Sequence, residues 1–252
     1  MSEKLQKVLA TLGIASRREI ERWIFAGRVK VNGTTATLGM RIENADQITV
    51  DGKKIIRNAI TKPQETLVLL YNKPEGEVCT RKDEKNRRTV FASLPPLKTG
   101  RWIMVGRLDL NSSGLLLFTN NGELANALMH PKTDLIIERE YLVRVFGTVT
   151  ETILTNLKNG VYLDDKLTAF KSIQKVSGDA KNQWYKVTVT EGRNRIVRRL
   201  WETQQIQVNR LIRIRFYNIE LPRSLAKSFF TYLSQDKVSK LCYTMQITNN
   251  LE

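Results

Sequence analysis

The sequence predicts an α+β protein in two parts: a small α/β module over residues 1–60 and a larger α+β domain over 67–252, with a linker at 61–66. Three observations carry this. The chain has 252 residues, long for one domain and ordinary for two. Helical and then alternating apolar periodicity fills the first sixty residues and resumes after "RNAITKPQET" (57–66), a polar stretch that contains Pro63 and has no period. Hydrophobic residues at 41% and charged residues at 26% are globular values, so each part can bury a core.

In the first part Leu5, Val8, Leu9 and Leu12 share one helical face, and Gly13 ends that helix. Ser16, three residues ahead of Glu19, forms a capping box that opens "RREIERWIFAG". Ile20, Trp23 and Ile24 are its apolar side and Gly27 closes it. "RVKVNG" and "QITVDGKKI" follow as strands, turning at Asn32-Gly33 and Asp51-Gly52, pairs that tolerate the positive φ of tight hairpins.

The second part begins with "LVLLYNKPEG", a buried strand running into a Pro/Gly turn, and a charged loop, "CTRKDEKNRRTVFASLPPLKTG". "RWIMVGRLDLNSSGLLLFTNNGELANALMHP" (101–131) reads as strand, turn, strand and helix. Gly160 suits the end of a helix over "ETILTNLKN", and "NQWYKVTVTEG" alternates as a half-buried strand. "EGRNRIVRRLWETQ" is a basic helix with Ile196, Val197, Leu200 and Trp201 on its apolar side. In "RLIRIRF", Ile212, Ile214 and Phe216 point one way and Arg213 and Arg215 the other.

Lys+Arg 41 against Asp+Glu 25 gives +16 and a pI near 10.0. A surplus of that size favours a polyanionic partner, nucleic acid first and an acidic membrane surface second. Lys4, Lys7, Arg17, Arg18, Arg22, Arg28 and Lys30 form the polar face of the first module. That face is either simply solvated or an RNA contact surface; its clustering around a helix start and the adjoining strand favours RNA.

Apolar runs such as "GLLLF" are far short of a bilayer span, and "EKLQKVLATLG" is too polar for a secretory signal. Two cysteines, Cys79 and Cys242, make no multi-bridge framework. The expectation is a soluble protein of the reducing cytoplasm. One histidine, His130, reads as a helix-ending residue, so neither a zinc site nor a Ser-His-Asp triad is expected. Asp109 has acidic sequence neighbours in Glu123, Glu138 and Glu140, but nothing pairs it with one of them as glycosidase chemistry requires. Taken by itself, an aspartate ahead of "NSSG" is a turn residue bonding its own backbone.

The surrounding motifs reverse that reading. "KLQKVLATLGIASRREIERWIFAGRVKVNG" resembles an S4 domain, a small RNA-binding module. "GRLDLNSSGLLLFTNNGELANALMHP" resembles the signature of RNA pseudouridine synthases, in the branch that carries an N-terminal S4 domain. "YNKPEGEVCT", "EREYLVRVFG", "NQWYKVTVTEGRNRIVRRLWE" and "RLIRIRF" agree with that family and stand in its order. The likeness runs from about residue 3 to about 222; after "LPR" the tail departs from the pattern.

The resemblance implies an S4 RNA-binding domain followed by a synthase domain with a mixed, largely antiparallel sheet flanked by short helices. It implies isomerisation of a uridine to pseudouridine in 23S rRNA, free or in a large-subunit precursor particle, by a cytoplasmic monomer. The N1–C1′ bond breaks, the uracil turns over and C5 bonds to C1′; no atom is gained and no redox change occurs, so no cofactor is required. Asp109 matches the family's essential aspartate, acting either as nucleophile at the sugar or as base toward a sugar proton. Either role needs a charged carboxylate in a partly dry pocket, hence a cation beside it. Arg198 matches that cation, with Val197 packing near the base. Tyr141 matches the aromatic that stacks on the flipped uracil, and Arg107 the arginine that helps to extrude the nucleotide. Arg193 and Arg195 are read as RNA-backbone contacts, and Lys73 and Pro74 as a structural turn beside the cleft. The rivals are a catalytically silent RNA-binding or ribosome-assembly factor of the same architecture and a nucleic-acid N-glycosylase.

Overall fold

The computed structural model describes residues 2–56, 65–132, 135–179 and 181–247. The first module holds β1 (Glu3–Lys4), α1 (Leu5–Thr11), α2 (Arg17–Phe25), β2 (Val29–Val31), β3 (Thr34–Thr35), β4 (Arg41–Ile42), β5 (Ile48–Val50) and β6 (Lys53–Lys54). Half of the expected capping box forms: Ser16 accepts the backbone N–H of Glu19 at 3.1 Å, while the Glu19 carboxylate accepts from Arg22 and Trp23. Both hairpin turns use left-handed first residues, Asn32 at φ 51° and Asp51 at φ 50°, each followed by glycine. Strands β3-β2-β5-β6 form one small sheet. Leu5, Leu9, Ile20, Ile24, Val29, Ile42 and Ile48 close the core under it. The linker falls largely on residues 57–64, outside the described residues. Its last two positions already belong to the second body, where Asn120 donates to the Glu65 carbonyl and Asn121 to the hydroxyl of buried Thr66.

The second body contains β7 (Val68–Lys73), β8 (Ile103–Val105), β9 (Ser113–Thr119), α3 (Gly122–Met129), β10 (Arg139–Phe146), α4 (Glu151–Asn159), β11 (Val161–Leu163), β12 (Lys166–Thr168), β13 (Ser172–Gly178), β14 (Asn182–Val189), α5 (Ile196–Glu202), β15 (Gln207–Phe216), β16 (Ile219–Glu220), β17 (Phe230–Tyr232) and α6 (Gln235–Thr244). The main sheet runs β13-β14-β10-β15-β9-β7-β17, with β8 beside β9 and β16 beside β15. Every pairing is antiparallel except β15 with β9, which is parallel at Ile212↔Ser113 and Arg213↔Gly114. The sheet is therefore mixed and largely antiparallel, as expected.

The parallel junction depends on a glycine. Gly114 has φ +99°, and a Cβ there would lie 2.7 Å from the backbone N of Arg213 and closer still to its carbonyl oxygen. One face of the sheet packs Tyr141, Val143, Tyr185 and Val187 under Leu157, Val197, Leu200 and Trp201 of α4 and α5. The other face, at β7 and β9, is covered by α3 and by α6 of the tail through Val238, Leu241 and Cys242. The tail thus completes both an edge strand and a core, although its sequence departs from the family pattern. Cys79 and Cys242 are free thiols, and among the described residues no helix is long and apolar enough to cross a membrane.

Candidate active site

A single row of Cα partners crosses four strands: Tyr141 on β10, Arg213 on β15, Gly114 on β9 and Lys73 at the end of β7. The turn that carries Asp109, residues 106–112, enters β9 beside this row. Its backbone is held from several sides. Leu108 is buried in the main core and its N–H points to Cys79 Sγ at 3.4 Å. Ser112 N–H closes the turn on the Asp109 carbonyl at 3.1 Å, and Gly76 N–H reaches the Leu110 carbonyl at 2.8 Å. The local turn reading of Asp109 and the functional reading are thus compatible, because the turn is what presents the carboxylate.

Two buried cations complete the hold. Lys73 is 0% exposed, and its Nζ donates to the carbonyls of Pro74 at 2.9 Å, Asp109 at 3.1 Å and Ser112 at 2.8 Å. An ammonium has three donors, and three carbonyls take them. Burial pushes the Lys73 amine below its ordinary value, against the pull of surrounding groups that include Glu77, Asp109 and Glu75. Arg198, 4% exposed, donates from Nη2 to the Asn111 carbonyl at 2.9 Å and from Nη1 to the Val208 carbonyl at 2.7 Å. Burial lowers its pKa and the Asp109 charge acts in the opposite direction.

The expected direct ion pair between Arg198 and Asp109 is not made. Among the described residues no cation lies within 4.0 Å of the Asp109 carboxylate, since the Arg198 fork is occupied by main-chain carbonyls. Arg198 acts on Asp109 through space and through the turn backbone. Asp109 is left half-exposed and anchored by its main chain, and its carboxylate takes no hydrogen bond or ion pair among the described residues.

Tyr141, 7% exposed, shares the core cluster of Leu108 and Val197, so the expected aromatic, the apolar partner and the Asp109 turn meet in one place. Arg107 is exposed at the outer side of the turn. Several polar groups here keep unused bonding capacity: Arg198 Nε, Arg213 Nη2, Ser112 Oγ and Ser113 Oγ are buried without a partner. Orphaned donors in such number are unusual in an ordinary core and common where a ligand completes the bonding.

The other expected contacts divide. Arg193 is committed internally, to Glu191 at 2.7 Å and to the Leu163 carbonyl at 3.0 Å, which ties the β11–β12 hairpin to the start of α5. Arg195 is exposed at the left-handed residue ahead of α5, φ 50°, and reaches Glu202 at 3.2 Å. On the first module Lys7 pairs with Glu3 and with Glu123, Arg22 with Glu19, and Arg28 with Asp51. Lys4, Arg17, Arg18 and Lys30 are exposed and make no ion pair among the described residues, so they are the cations this face leaves for a ligand.

Arg213 escaped the sequence reading. It is 2% exposed, its Nε donates to the Leu115 carbonyl at 2.7 Å, and it stands opposite Tyr141. The alternation in "RLIRIRF" put Arg213 with Arg215 and opposite Phe216, but a register shift pairs Arg213 with Tyr141 and Arg215 with the adjacent Glu140, and the Arg213 guanidinium lies 5.3 Å from the centre of the Phe216 ring, so the two arginines part and Arg213 turns inward. Lys73 carried a clue, a lysine at the end of a wholly apolar run, and its structural role beside the cleft is what the carbonyl bonds describe. Among the described residues no group of His, Cys, Asp and Glu is placed to hold a metal.

Comparison with known proteins gives the family. The pattern of the RNA pseudouridylate synthase family matches residues 67–203, and that of the S4 domain residues 3–48. A relative from Pseudomonas aeruginosa named ribosomal large subunit pseudouridine synthase B is 52% identical over 96% of this chain; the chain spans 62% of that protein's length. A relative of the same name from Salmonella typhi is 56% identical over 92% of this chain and 80% of its own length. A crystal structure of a pseudouridylate synthase, 25% identical, superposes with a TM-score of 0.63 over 94% of this chain and 99% of that one. The chain belongs to the RNA pseudouridylate synthase family, with an S4 domain ahead of its synthase domain.

Proposed function

We propose that this protein isomerises a uridine of large-subunit (23S) ribosomal RNA to pseudouridine, acting in the cytoplasm as a monomer on the free RNA or on a precursor particle. Two features support it: relatives above half identity carry the large-subunit name, and the Asp109 turn is clamped by buried Lys73 and Arg198 while its carboxylate takes no partner among the described residues. The turn is the observation that carries the reading, because a merely structural aspartate would direct its carboxylate to a partner.

The target base leaves the stack, at a cost of a few kcal/mol, with Arg107 at the rim to occupy the vacated space. Tyr141 supplies the surface on which the uracil lies, and Val197 the apolar wall behind it. Asp109 meets the sugar, as nucleophile at C1′ or as base toward a sugar proton, and the N1–C1′ bond breaks. The freed uracil turns over within the pocket, C5 bonds to C1′, and the C5 proton leaves to restore aromaticity. Arg198 and Arg213 are positive groups fixed by main-chain carbonyls and need not move during the reaction. Lys4, Arg17, Arg18, Lys30 and Arg195 face the phosphate backbone outside the cleft.

The test is release of tritium from 23S rRNA labelled at uracil C5. The wild type is expected to release tritium without free uracil, and Asp109→Asn none. A folded, RNA-binding wild type that releases none from either deproteinised rRNA or assembly intermediates overturns the reading in favour of a silent binding factor. Free uracil in place of tritium would indicate a glycosylase.

A further inference from the structure

Three arginines from separate segments converge where the S4 module meets the synthase domain. Arg17 begins α2, Arg81 lies in the charged loop, and Arg101 stands two residues ahead of β8. The meeting is close. A Cβ on Gly13, φ +81°, would stand 2.6 Å from the carbonyl oxygen of Gly100, so the two backbones touch. Lys7 of α1 bonds Glu123 of α3 at 2.8 Å. Arg17 Nη2 lies 3.9 Å from where a Cβ on Gly122 would be, so its side chain reaches across the junction.

The cations here lack counter-charges. Among the described residues none of the three arginines has a carboxylate within 4.0 Å, and nearby Glu123 is taken by Lys7. Arg81 is flattened over the Phe91 ring at 4.2 Å and donates to the Trp102 carbonyl. Arg101 is half-buried and its Nε is enclosed without an acceptor. Burial lowers the pKa of Arg101 and the charge of Arg17 lowers it further; burial lowers Arg81 and the charge of Arg101 adds to it. Folding has therefore placed like charges near one another, Arg17 and Arg81 exposed and Arg101 half-buried with an enclosed N–H that meets no acceptor. An uncompensated arrangement of this kind destabilises the free protein and is relieved by an anion able to take several guanidinium forks at once, which is the geometry of a phosphodiester.

We infer that Arg17, Arg81 and Arg101 form a binding site at the domain junction for the phosphodiester backbone of the RNA substrate. This rests on the proposed rRNA substrate and extends the S4 face, through Arg17, onto Arg81 and Arg101 of the synthase domain, outside the cleft. The junction stands at the start of β8, whose other end leads into the Asp109 turn. RNA held there is tied to the two modules together, so the S4 module sets the path of the strand toward the cleft as well as the strength of attachment.

The test uses the full chain and an in vitro transcribed 23S rRNA labelled at uracil C5. Tritium release gives KM and kcat, and filter binding over a range of KCl gives the salt dependence of affinity. The variants are Arg17→Gln, Arg101→Gln, the double substitution and Arg101→Lys, with circular dichroism to establish folding. The double variant should raise KM about tenfold at about 0.15 M salt, the loss falling on KM rather than kcat. Its slope of log affinity against log salt should be shallower by about 0.7–0.9 for each phosphate contact removed. Arg101→Lys should recover part of the slope, which a packing role alone would not restore. A folded double variant with the KM and salt slope of the wild type overturns the junction site while leaving the isomerase reading intact. A wild type that binds the transcript but isomerises nothing overturns the isomerase reading, and the salt slopes still decide the junction.

Discussion

The Nζ of Lys73 donates to the main-chain carbonyl of Asp109 at 3.1 Å from a fully buried position. The residue expected to do the chemistry is thus steadied from behind by a charge that never reaches solvent. Removing that charge would strip one donor each from the Pro74, Asp109 and Ser112 carbonyls in a dry site, the Asp109 carbonyl keeping only the Ser112 N–H. Lys73→Met is expected to cost about 2–4 kcal/mol of stability, as for unsatisfied buried groups, and to lower kcat about 10–100-fold through loss of positioning. Denaturant titration and single-turnover tritium release check the two effects separately.

Arg213 holds the Leu115 carbonyl with Nε and keeps Nη2 unpartnered opposite Tyr141. A lysine there has one nitrogen and cannot serve both directions. Arg213→Lys is expected to fold, with stability lowered by about 1–2 kcal/mol, and to lose at least about tenfold in kcat with KM little changed. A kcat equal to the wild type would remove Arg213 from the site.

Gly114→Ala places a methyl group against the Arg213 backbone at a residue with φ +99°. Left-handed strain and the steric clash together should destabilise the protein by about 3 kcal/mol or more. Thermal unfolding checks this, and the loss should exceed that of alanine at Gly52, which has φ +76° and nothing within 4 Å.

Tyr71 gives a pH dependence with a defined sign. Burial, opposed by a hydrogen bond from Ser93 and supported by its bond to Glu77 at 2.7 Å, raises the phenol from its ordinary value near 10 to about 12. The folded state keeps the proton to higher pH than the unfolded chain does. Its contribution is therefore complete below pH 10 and is lost as pH rises from 10 toward 12. Urea unfolding across that window should show stability falling more steeply for the wild type than for Tyr71→Phe. Equal slopes would contradict the assignment.

Much of this molecule is legible locally. The Ser16 cap, the Asn32-Gly33 and Asp51-Gly52 turns, and the helix between Thr150 and Gly160 form as read, because each is decided by residues within a few positions of one another. The motifs around Asp109, Tyr141 and Arg198 stand in the order of the family, and the fold brings Arg198 onto the Asn111 carbonyl of the Asp109 turn. Alternation alone did not reveal that Arg213 of "RLIRIRF" turns inward, since the register shift between β10 and β15 parts it from Arg215.

The sequence by itself determined the two-part organisation, the basic character and the hairpin and capping turns, all of which depend on composition or on short-range chemistry. Tertiary structure alone decided three things: that Lys73 and Arg198 bind the main chain of the Asp109 turn instead of its side chain, that Arg193 and Lys7 are engaged internally, and that Arg17, Arg81 and Arg101 meet at the junction. The physical reason is the same in each case. A cation's role is set by which acceptors the fold brings within bonding distance, and the decisive ones here (Asp109 and Ser112 for Lys73, Asn111 for Arg198, Leu163 for Arg193, Glu123 for Lys7) come from segments tens of residues away, where sequence spacing carries no information.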